Sequence, residues 1–487
     1  MLSEFVTCPG LFYATPAQDG ILSRIRIPGG MLALQQSEAI AQLAEQFGGG
    51  YVQITNRANL QIRQIQTGIA KDVLTHLQTL ELASPVADVD AIRNIMSSPT
   101  AGIDRQQLLD TRPLVSAWNR YLISRSELAV LSPKFSVCFD GGEAVSVRDR
   151  PNDISLVAVQ GDGNVYFQLR LSLGERGDAP QAVGILIKPE SSINVLAALA
   201  EIYRDYTVQQ QGASIQRKPR FREVLNDLGV AACLQAVERH LPFSLLRDKM
   251  TDAVPCPAAY AHLGVHAQHQ AGFSYVGVVL HLGRLNAQQL RGLASLAKQY
   301  GSGILRLTPW QNVLVTDISN QQIAEVQQQI EQLGLDVAAT HPCSAIVACS
   351  GKSGCAASAT KTQAHALALT AHLAQRITLD RPVNIHFSGC EKSCAQHHPS
   401  DIALLGIATE GAETYNVYVG SGEMPFGREL CQNYTPEALP DLIEQMIQTY
   451  QKHRNDVDET FKEFVDRHSL FQLKQLFNQH PATYRTH

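Results

Sequence analysis

The stretch RIPGGMLALQQSEAIAQLAEQFGGGYVQITNRANLQIR (26–63) decides the fold, because the chain contains it twice. The second copy is HLGRLNAQQLRGLASLAKQYGSGILRLTPWQNVLV (281–315), which aligns without gaps at an offset of 253. Gly30 falls on Gly283, Gln35 and Gln36 on Gln288 and Gln289, and Ala41, Leu43 and Ala44 on Ala294, Leu296 and Ala297. Gly48 and Gly50 fall on Gly301 and Gly303, Thr55 on Thr308, and Asn59 on Asn312. Two unrelated helix–turn–strand units would not keep glycines, polar residues and apolar residues in one register. Each copy reads as strand, glycine turn, amphipathic helix (apolar at 40, 43, 44 and 47 in the first), glycine-rich turn and strand.

A second repeat, at offset 248, lies outside the first. KFSVCFDGG (134–142) falls on PVNIHFSGC (382–390), and Asp153-Ile154-x-Leu156 on Asp401-Ile402-x-Leu404. The informative position is Gly142, which meets Cys390: the scaffold is duplicated and the cysteine is not. Together the repeats predict an α+β chain with a pseudo-twofold duplication of ferredoxin-like half domains. Two larger α+β domains accompany them, and one cofactor is expected at the seam.

Four cysteines mark that cofactor, as Cys349-x5-Cys355 and Cys390-x3-Cys394. A cube of iron and sulfide takes four thiolates converging on one point. Both spacings exceed the two residues usual in structural zinc knuckles. The segments CSGKSGC and SGCEKSC are rich in glycine and serine, so backbone can wrap closely and donate N–H bonds to sulfur. A [4Fe-4S] cluster held by Cys349, Cys355, Cys390 and Cys394 is the expectation. The other six cysteines (Cys8, Cys138, Cys233, Cys256, Cys343, Cys431) show no pairing pattern and read as small core residues in a reducing compartment.

The bulk composition narrows the class. A chain of 487 residues, 45% hydrophobic, has material for about three domains. Its net charge of −5 argues against general nucleic-acid binding and requires any anionic ligand to be held by a local basic pocket. No charged-then-apolar leader opens it, and no apolar run reaches the roughly 20 residues of a membrane span. A cytoplasmic protein without membrane or nucleic-acid partners is expected.

The predicted pieces are a first half domain over 8–80, a larger domain over 85–230, a second half domain over 257–335 and the cluster domain over 336–450. A C-terminal helix follows over 456–479, with positions 461, 464, 465 and 468 on one face. Between the halves, Arg217-Lys218-Pro219-Arg220-x-Arg222 is a basic connector, read as a solvated linker before a docking site.

Alternation along Thr55-x-Arg57-x-Asn59-x-Gln61-x-Arg63 places five polar side chains on one face of a presumed strand, flanked by Ile54, Leu60 and Ile62. With Thr308, Gln311 and Asn312 at the duplicate position, this reads as a ligand surface. His386, His397 and His398 sit beside the cluster cysteines; as iron ligands they compete with a plain structural role. Asp140 and Glu143 flank the Gly141-Gly142 turn, which accounts for Asp140.

The duplicated half domain, the Thr55–Arg63 run and the cysteine spacing together resemble the sirohaem-dependent sulfite and nitrite reductases, over most of the chain from about residue 8 to about 470. The resemblance implies a carboxylate-ringed macrocycle. Guanidinium forks grip carboxylates, at about 1.5–3 kcal/mol per charge-assisted bond. By matching positions it points to Arg26, Arg57, Arg63 and Arg306 as carboxylate partners. Thr55, Asn59, Gln61, Thr308, Gln311 and Asn312 would be polar contacts, and Arg24, Arg93 and Lys134 cations at the reacting face. It also implies that Cys394 touches the sirohaem iron.

Within that superfamily, CPGLFYATPAQDGILSRIRIPGG (8–30), TNRANLQIR (55–63), SPKFSVCFDGG (132–142), LRLTPWQN (305–312) and SGCEKSCAQHHP (388–399) are similar to the precorrin-3B synthase branch of cobalamin biosynthesis. Ser136 stands where reductases carry a cation or amide, whereas Gln311-Asn312 is closer to the reductases. The expectation is therefore an oxygen-dependent monooxygenase. It would hydroxylate a meso carbon of its tetrapyrrole substrate and close a γ-lactone, using a mononuclear non-haem iron and a reduced donor (ferredoxin or an NAD(P)H-linked reductase). The competing expectations are a ferredoxin-dependent nitrite or sulfite reductase, and a tetrapyrrole/iron–sulfur binding protein without chemistry.

Overall fold

The computed structural model describes residues 9–13, 15–175, 177–210, 217–247, 259–409, 411–422 and 426–477; Cys8 and Cys256 lie outside them. The chain divides into two compact units, one made of 1–16, 21–278 and 283–337, the other of 17–20, 279–282 and 338–487.

In the first unit each copy of the repeat builds the predicted elements. Strand Gly20–Ile25 leads through the turn Pro28–Gly30 to helix Leu34–Phe47 and strands Tyr51–Ile54 and Leu60–Ile65. Strand Phe273–Val278 leads to helix Ala287–Tyr300 and strands Ile304–Leu307 and Val313–Ser319. The duplication extends to the backbone. Left-handed φ recurs at the 253 offset at Gly29 and Leu282, Gly30 and Gly283, Gly50 and Gly303, Ala58 and Gln311, and Gln64 and Asp317. Half of these are not glycine, so the turn geometry is kept even where a Cβ makes it costly.

The two sheets exchange a strand. Met31–Ala33, from the first copy, pairs with Ile304–Leu307 at the edge of the second sheet. Arg284–Asn286, from the second copy, pairs with Tyr51–Ile54 at the edge of the first. Each sheet of five strands is therefore completed by the other copy.

The first unit also holds a sheet of six strands in which Asn94–Ser97, Ser136–Asp140 and Ile154–Gly161 run parallel, while Asn164–Leu171 and Gln181–Ile187 return antiparallel. Trp118, Phe135, Tyr203 and Phe221 anchor its core against helices Arg112–Ile123 and Ser192–Gln210. The second unit repeats this plan: Ile346–Ala348, Ile385–Ser388 and Ile402–Thr409 parallel, Ala412–Val419 and Arg428–Tyr434 antiparallel. One hydrogen-bond clamp recurs at the 248 offset. The Asp153 carboxylate accepts from Ser136 N at 3.0 Å, and the Asp401 carboxylate from Asn384 N at 2.7 Å.

Two expectations are corrected. Thr55–Arg63 is not one strand: residues 55–59 form a tight turn, closed by Thr55 N to Asn59 O at 2.8 Å and Ala58 N to Thr55 O at 3.0 Å. Side-chain alternation cannot cross a turn, so only Gln61 and Arg63 share a face. The C-terminal helix is two helices, Phe461–Asp466 and Leu470–Phe477, because Ser469 and Gln472 bond reciprocally and start a new one. Phe461, Phe464 and Val465 are buried as expected, and residues 478 and 479 lie outside the described part.

Candidate functional site

The cysteine loops grow from the ends of two neighbouring parallel strands. Ile346–Ala348 runs into Cys349, and Ile385–Ser388 into Gly389 and Cys390, with Ala348 opposite Phe387. Adjacent strands lie about 4.8 Å apart, so both cysteines leave the sheet side by side. Gly389 N donates to Cys349 Sγ at 3.3 Å, a ready-made N–H bond to a thiolate.

The first loop then folds back on itself. Cys355 N donates to Gly351 O at 2.9 Å, Lys352 N to Thr360 O at 2.7 Å, and Ala359 N to Gly389 O at 2.8 Å. A Cβ at Gly389 would collide with the Ser358 hydroxyl, so the two loops are packed as tightly as glycine permits. Cys349, Cys355 and Cys390 are half-buried, Cys394 is exposed, and none of the four is in a disulfide. Two pairs of soft donors on adjoining loops, with a backbone N–H on one sulfur, fit an iron–sulfur cluster. Thr362, which sequence reasoning missed, ties the loop down by donating to Cys349 O at 2.8 Å. The short polar run Ser358–Thr362 ahead of helix Thr362–Arg376 is the signal that would have found it.

The histidines beside these loops divide. His386 is buried on strand Ile385–Ser388, opposite Val347 and Ala403, and burial pushes its imidazole down to about 3. His397 and His398 are exposed on the loop beyond Cys394.

In the first unit the polar candidates separate into a row on one sheet face and a set bonded within the fold. Arg24 donates to Gln61 Oε1 at 3.3 Å, and Gln61 donates to Gln53 Oε1 at 2.8 Å. Register places Arg24 opposite Gln61, Gln61 opposite Gln53, and Gln53 opposite Arg284. The result is a row of guanidinium, amide, amide and guanidinium across four strands on one sheet face. Val52, Ile54, Leu60 and Ile62 are all but fully buried. A face with a cation at each end and amides between suits a ligand with several carboxylates. Gln53 and Arg284 are additions to the sequence reading. Arg284 escaped because its duplicate position is Met31, and only strand exchange brings it to this sheet.

Other candidates are committed inside the fold. Arg26 donates to Asn94 Oδ1 at 3.1 Å and Pro9 O at 2.8 Å, and Arg57 to Asn152 Oδ1 at 3.0 Å and Pro151 O at 2.9 Å. Arg93, placed by resemblance at the reacting face, is 1% exposed and bonds Asp90, Asn119 and Glu81 O at 2.9–3.1 Å. Arg63 is buried. The hydroxyls of Thr55 and Thr308 close the two equivalent turns by accepting from Asn59 N at 3.2 Å and Asn312 N at 3.0 Å. Asn59 Oδ1 accepts from Ile27 N, Gln311 donates to Ile54 O at 2.9 Å, and Asn312 lies 3.4 Å from His262.

His262 stacks on Trp310 with 4.5 Å between ring centres, and burial holds its pKa near 3. Lys134 is exposed at the start of strand Ser136–Asp140. The Ser136 hydroxyl donates to Asp153 at 3.3 Å and is buried. Arg306 donates to Pro99 O at 3.1 Å and Ala101 O at 2.7 Å.

Beneath the Gly141-Gly142 turn the first unit has carboxylates and no cluster cysteines. Asp140 accepts from Ser146 and from the amides of Gly142, Val147 and Arg148, and Glu143 accepts from Gly141 N at 2.7 Å. Burial, with Asp140 nearby, raises the Glu143 carboxyl well above its ordinary range. The basic connector is no open patch either: Arg217 pairs with Glu223 at 2.6 Å, Lys218 donates to Ala129 O, and Arg220 lies 3.7 Å from Asp153.

Two family models match this chain. The nitrite/sulfite reductase ferredoxin-like half domain matches residues 15–80 and 266–333. The nitrite and sulphite reductase 4Fe-4S domain matches 88–245 and 343–482. The ferredoxin–nitrite reductase of Synechococcus elongatus is 29% identical, over 90% of this chain and 88% of that protein. That of Leptolyngbya laminosa is 30% identical, over 83% and 82%. The structure of the Mycobacterium tuberculosis NirA protein superposes with a TM-score of 0.77 at 25% identity, covering 93% of this chain and 84% of that one.

These matches overturn the precorrin-3B synthase expectation, and with it hydroxylation, lactone closure and the non-haem iron tied to them. The relatives that align along most of the chain are nitrite reductases. The features that suggested the other branch, Ser136 and Glu391-Lys392-Ser393, are side-chain differences on a shared scaffold. No described helix is long and apolar enough to cross a membrane.

Proposed function

The chain belongs to the nitrite and sulfite reductase family, and from that premise we propose that it is a ferredoxin-dependent reductase converting nitrite to ammonia. Its cofactors are a [4Fe-4S] cluster on Cys349, Cys355, Cys390 and Cys394, and sirohaem. When bound, the cluster supplies electrons singly and sirohaem supplies the iron centre for the six-electron reduction. The Arg24–Gln61–Gln53–Arg284 row is the observation that carries the sirohaem reading, because it offers charge-assisted donors to a ring of carboxylates.

The protein's own groups have defined tasks in this reading. The row binds and orients the macrocycle. Gly389 N–H stabilises the Cys349 thiolate. Lys134 and Arg24 are the cations offered to an incoming anion and to its protonation, while Arg93 holds Asp90 and Asn119 in place.

The test is a ferredoxin-linked assay on the holoenzyme, measuring ammonia from nitrite and sulfide from sulfite. Ammonia formation with a sirohaem spectrum is the expected result. Sulfide without ammonia would move the substrate to sulfite, and neither product would sink the reading. Lys134→Ala should keep the cluster spectrum and lower turnover by roughly 10–100-fold.

A further inference from the structure

Away from the cysteine loops, the second unit brings three ligating side chains to one point. His372 stands on helix Thr362–Arg376, and Asp441 and Glu444 stand on helix Leu439–His453. The two acids are three residues apart, so they share a face of their helix. His372 Nε2 lies 2.6 Å from Glu444 Oε2 and 3.7 Å from Asp441 Oδ1. The three ligand atoms all lie within 4.8 Å of one another.

The helices that present them are held by one core. Leu369 and Leu373 flank His372, and Leu442, Ile443 and Met446 surround Glu444 in sequence; all five are buried in the same cluster. Glu444 is also aimed from behind, since Gln448 donates to its other oxygen, Oε1, at 2.9 Å. A hydrogen bond to the far oxygen of a carboxylate is how metal sites orient such a ligand.

An ion pair accounts for one carboxylate and not for two. His372 carries at most a single charge, while Asp441 and Glu444 present two. Arg376 stands 3.7 Å from Glu444 Oε2 and is mostly exposed, so it can turn to water. A divalent cation matches the two carboxylates in charge, and the imidazole selects among such cations. Magnesium and calcium take oxygen ligands, whereas zinc takes imidazole and carboxylate together. Two ligands at about 2.0–2.1 Å from zinc in tetrahedral geometry are about 3.4 Å apart. The spacings of 2.6 and 3.7 Å bracket that value, so side-chain turns alone admit the ion, and Asp441, on the solvent side, has room to turn.

We propose that His372, Asp441 and Glu444 form a zinc site, completed by a water, that staples helix Thr362–Arg376 to helix Leu439–His453. It uses none of the residues assigned to the reductase reaction.

The experiment is equilibrium dialysis of the holoenzyme against micromolar zinc chloride, with zinc and iron counted together, for the wild type, His372→Gln and Asp441→Asn. The iron count shows that the cluster cysteines are filled and take no zinc. The wild type should hold one zinc per chain more than either variant, whose affinity should fall by at least about 10–100-fold. Thermal melts give a second readout: zinc at about 100 times its dissociation constant should raise the wild-type Tm by about 3 °C and leave the variants unmoved. Equal zinc counts in wild type and variants, or uptake only at millimolar zinc, overturn the proposal and leave an ordinary His–Glu ion pair. Displacement of the zinc by magnesium, or a difference in count with no rise in Tm, overturns it as well. Should His372→Gln not fold, the exposed Asp441→Asn decides alone, by the same counts and melts.

Discussion

The sheet Asn94–Ile187 and the sheet Ile346–Tyr434 share strand order, strand direction and the aspartate clamp at their third strands, yet one carries thiols and the other carboxylates. Where Cys390 leaves its sheet, Gly142 leaves the other, above buried Asp140 and Glu143. A metal centre is therefore a property of a few loop residues, while the strands that launch those loops are indifferent to it.

Removing a thiol should break the comparison most severely. Cys349→Ser is expected to lose the cluster and to lower nitrite turnover by more than about 100-fold, because ligation is part of the folding energy of these loops. Iron content and the visible spectrum check it. The equivalent glycines give a sharper contrast. A Cβ at Gly389 meets Ser358, and one at Gly141 meets Leu109 O and Glu143. Both alanine variants should lose about 1–3 kcal/mol by denaturant unfolding, and only Gly389→Ala should also lose iron.

Burial raises the carboxyl pKa in both clamps, Asp153 and Asp401. Burial raises the Asp401 pKa to about 6, above its unfolded value of about 3.9. The folded state thus holds that proton more tightly. The stability this contributes is complete below about pH 4 and is lost as pH rises through about 6. The effect is on the order of 1–3 kcal/mol, and Asp401→Asn should flatten it in melts recorded from about pH 3.5 to pH 7. Unchanged pH dependence in that variant would acquit Asp401.

The smallest effect lies in the paired turns. Ala58 and Gln311 both hold left-handed backbone, with φ of 53° and 62°. Ala58→Gly should gain about 0.5–1 kcal/mol, whereas Gln311→Gly should come out near neutral, since it also loses the bond to Ile54 O.

Much of this was legible from residue order. Glycines at fixed offsets disclosed the duplication because left-handed turns tolerate few other residues, and the cysteine spacing disclosed the cluster because metal ligation needs specific atoms. The strand through Thr55–Arg63 was misread because period-two alternation also describes a hairpin whose turn has an odd number of residues. Arg93 and Arg306 could not be told from arginines with open donors, since a guanidinium bonded inside the fold has the same sequence signature as one awaiting a carboxylate. Gln53 and Arg284 were missed because their role depends on pairing between strands more than 200 residues apart.

The edge strands Met31–Ala33 and Arg284–Asn286 carry a lesson about ancestry. Neither copy of the small domain closes its own sheet, so a lone ancestral copy would have shown a raw edge that only a sister molecule could cap. Joining the copies in one chain keeps that cap at hand, and cutting the chain between them would return each copy to needing a partner.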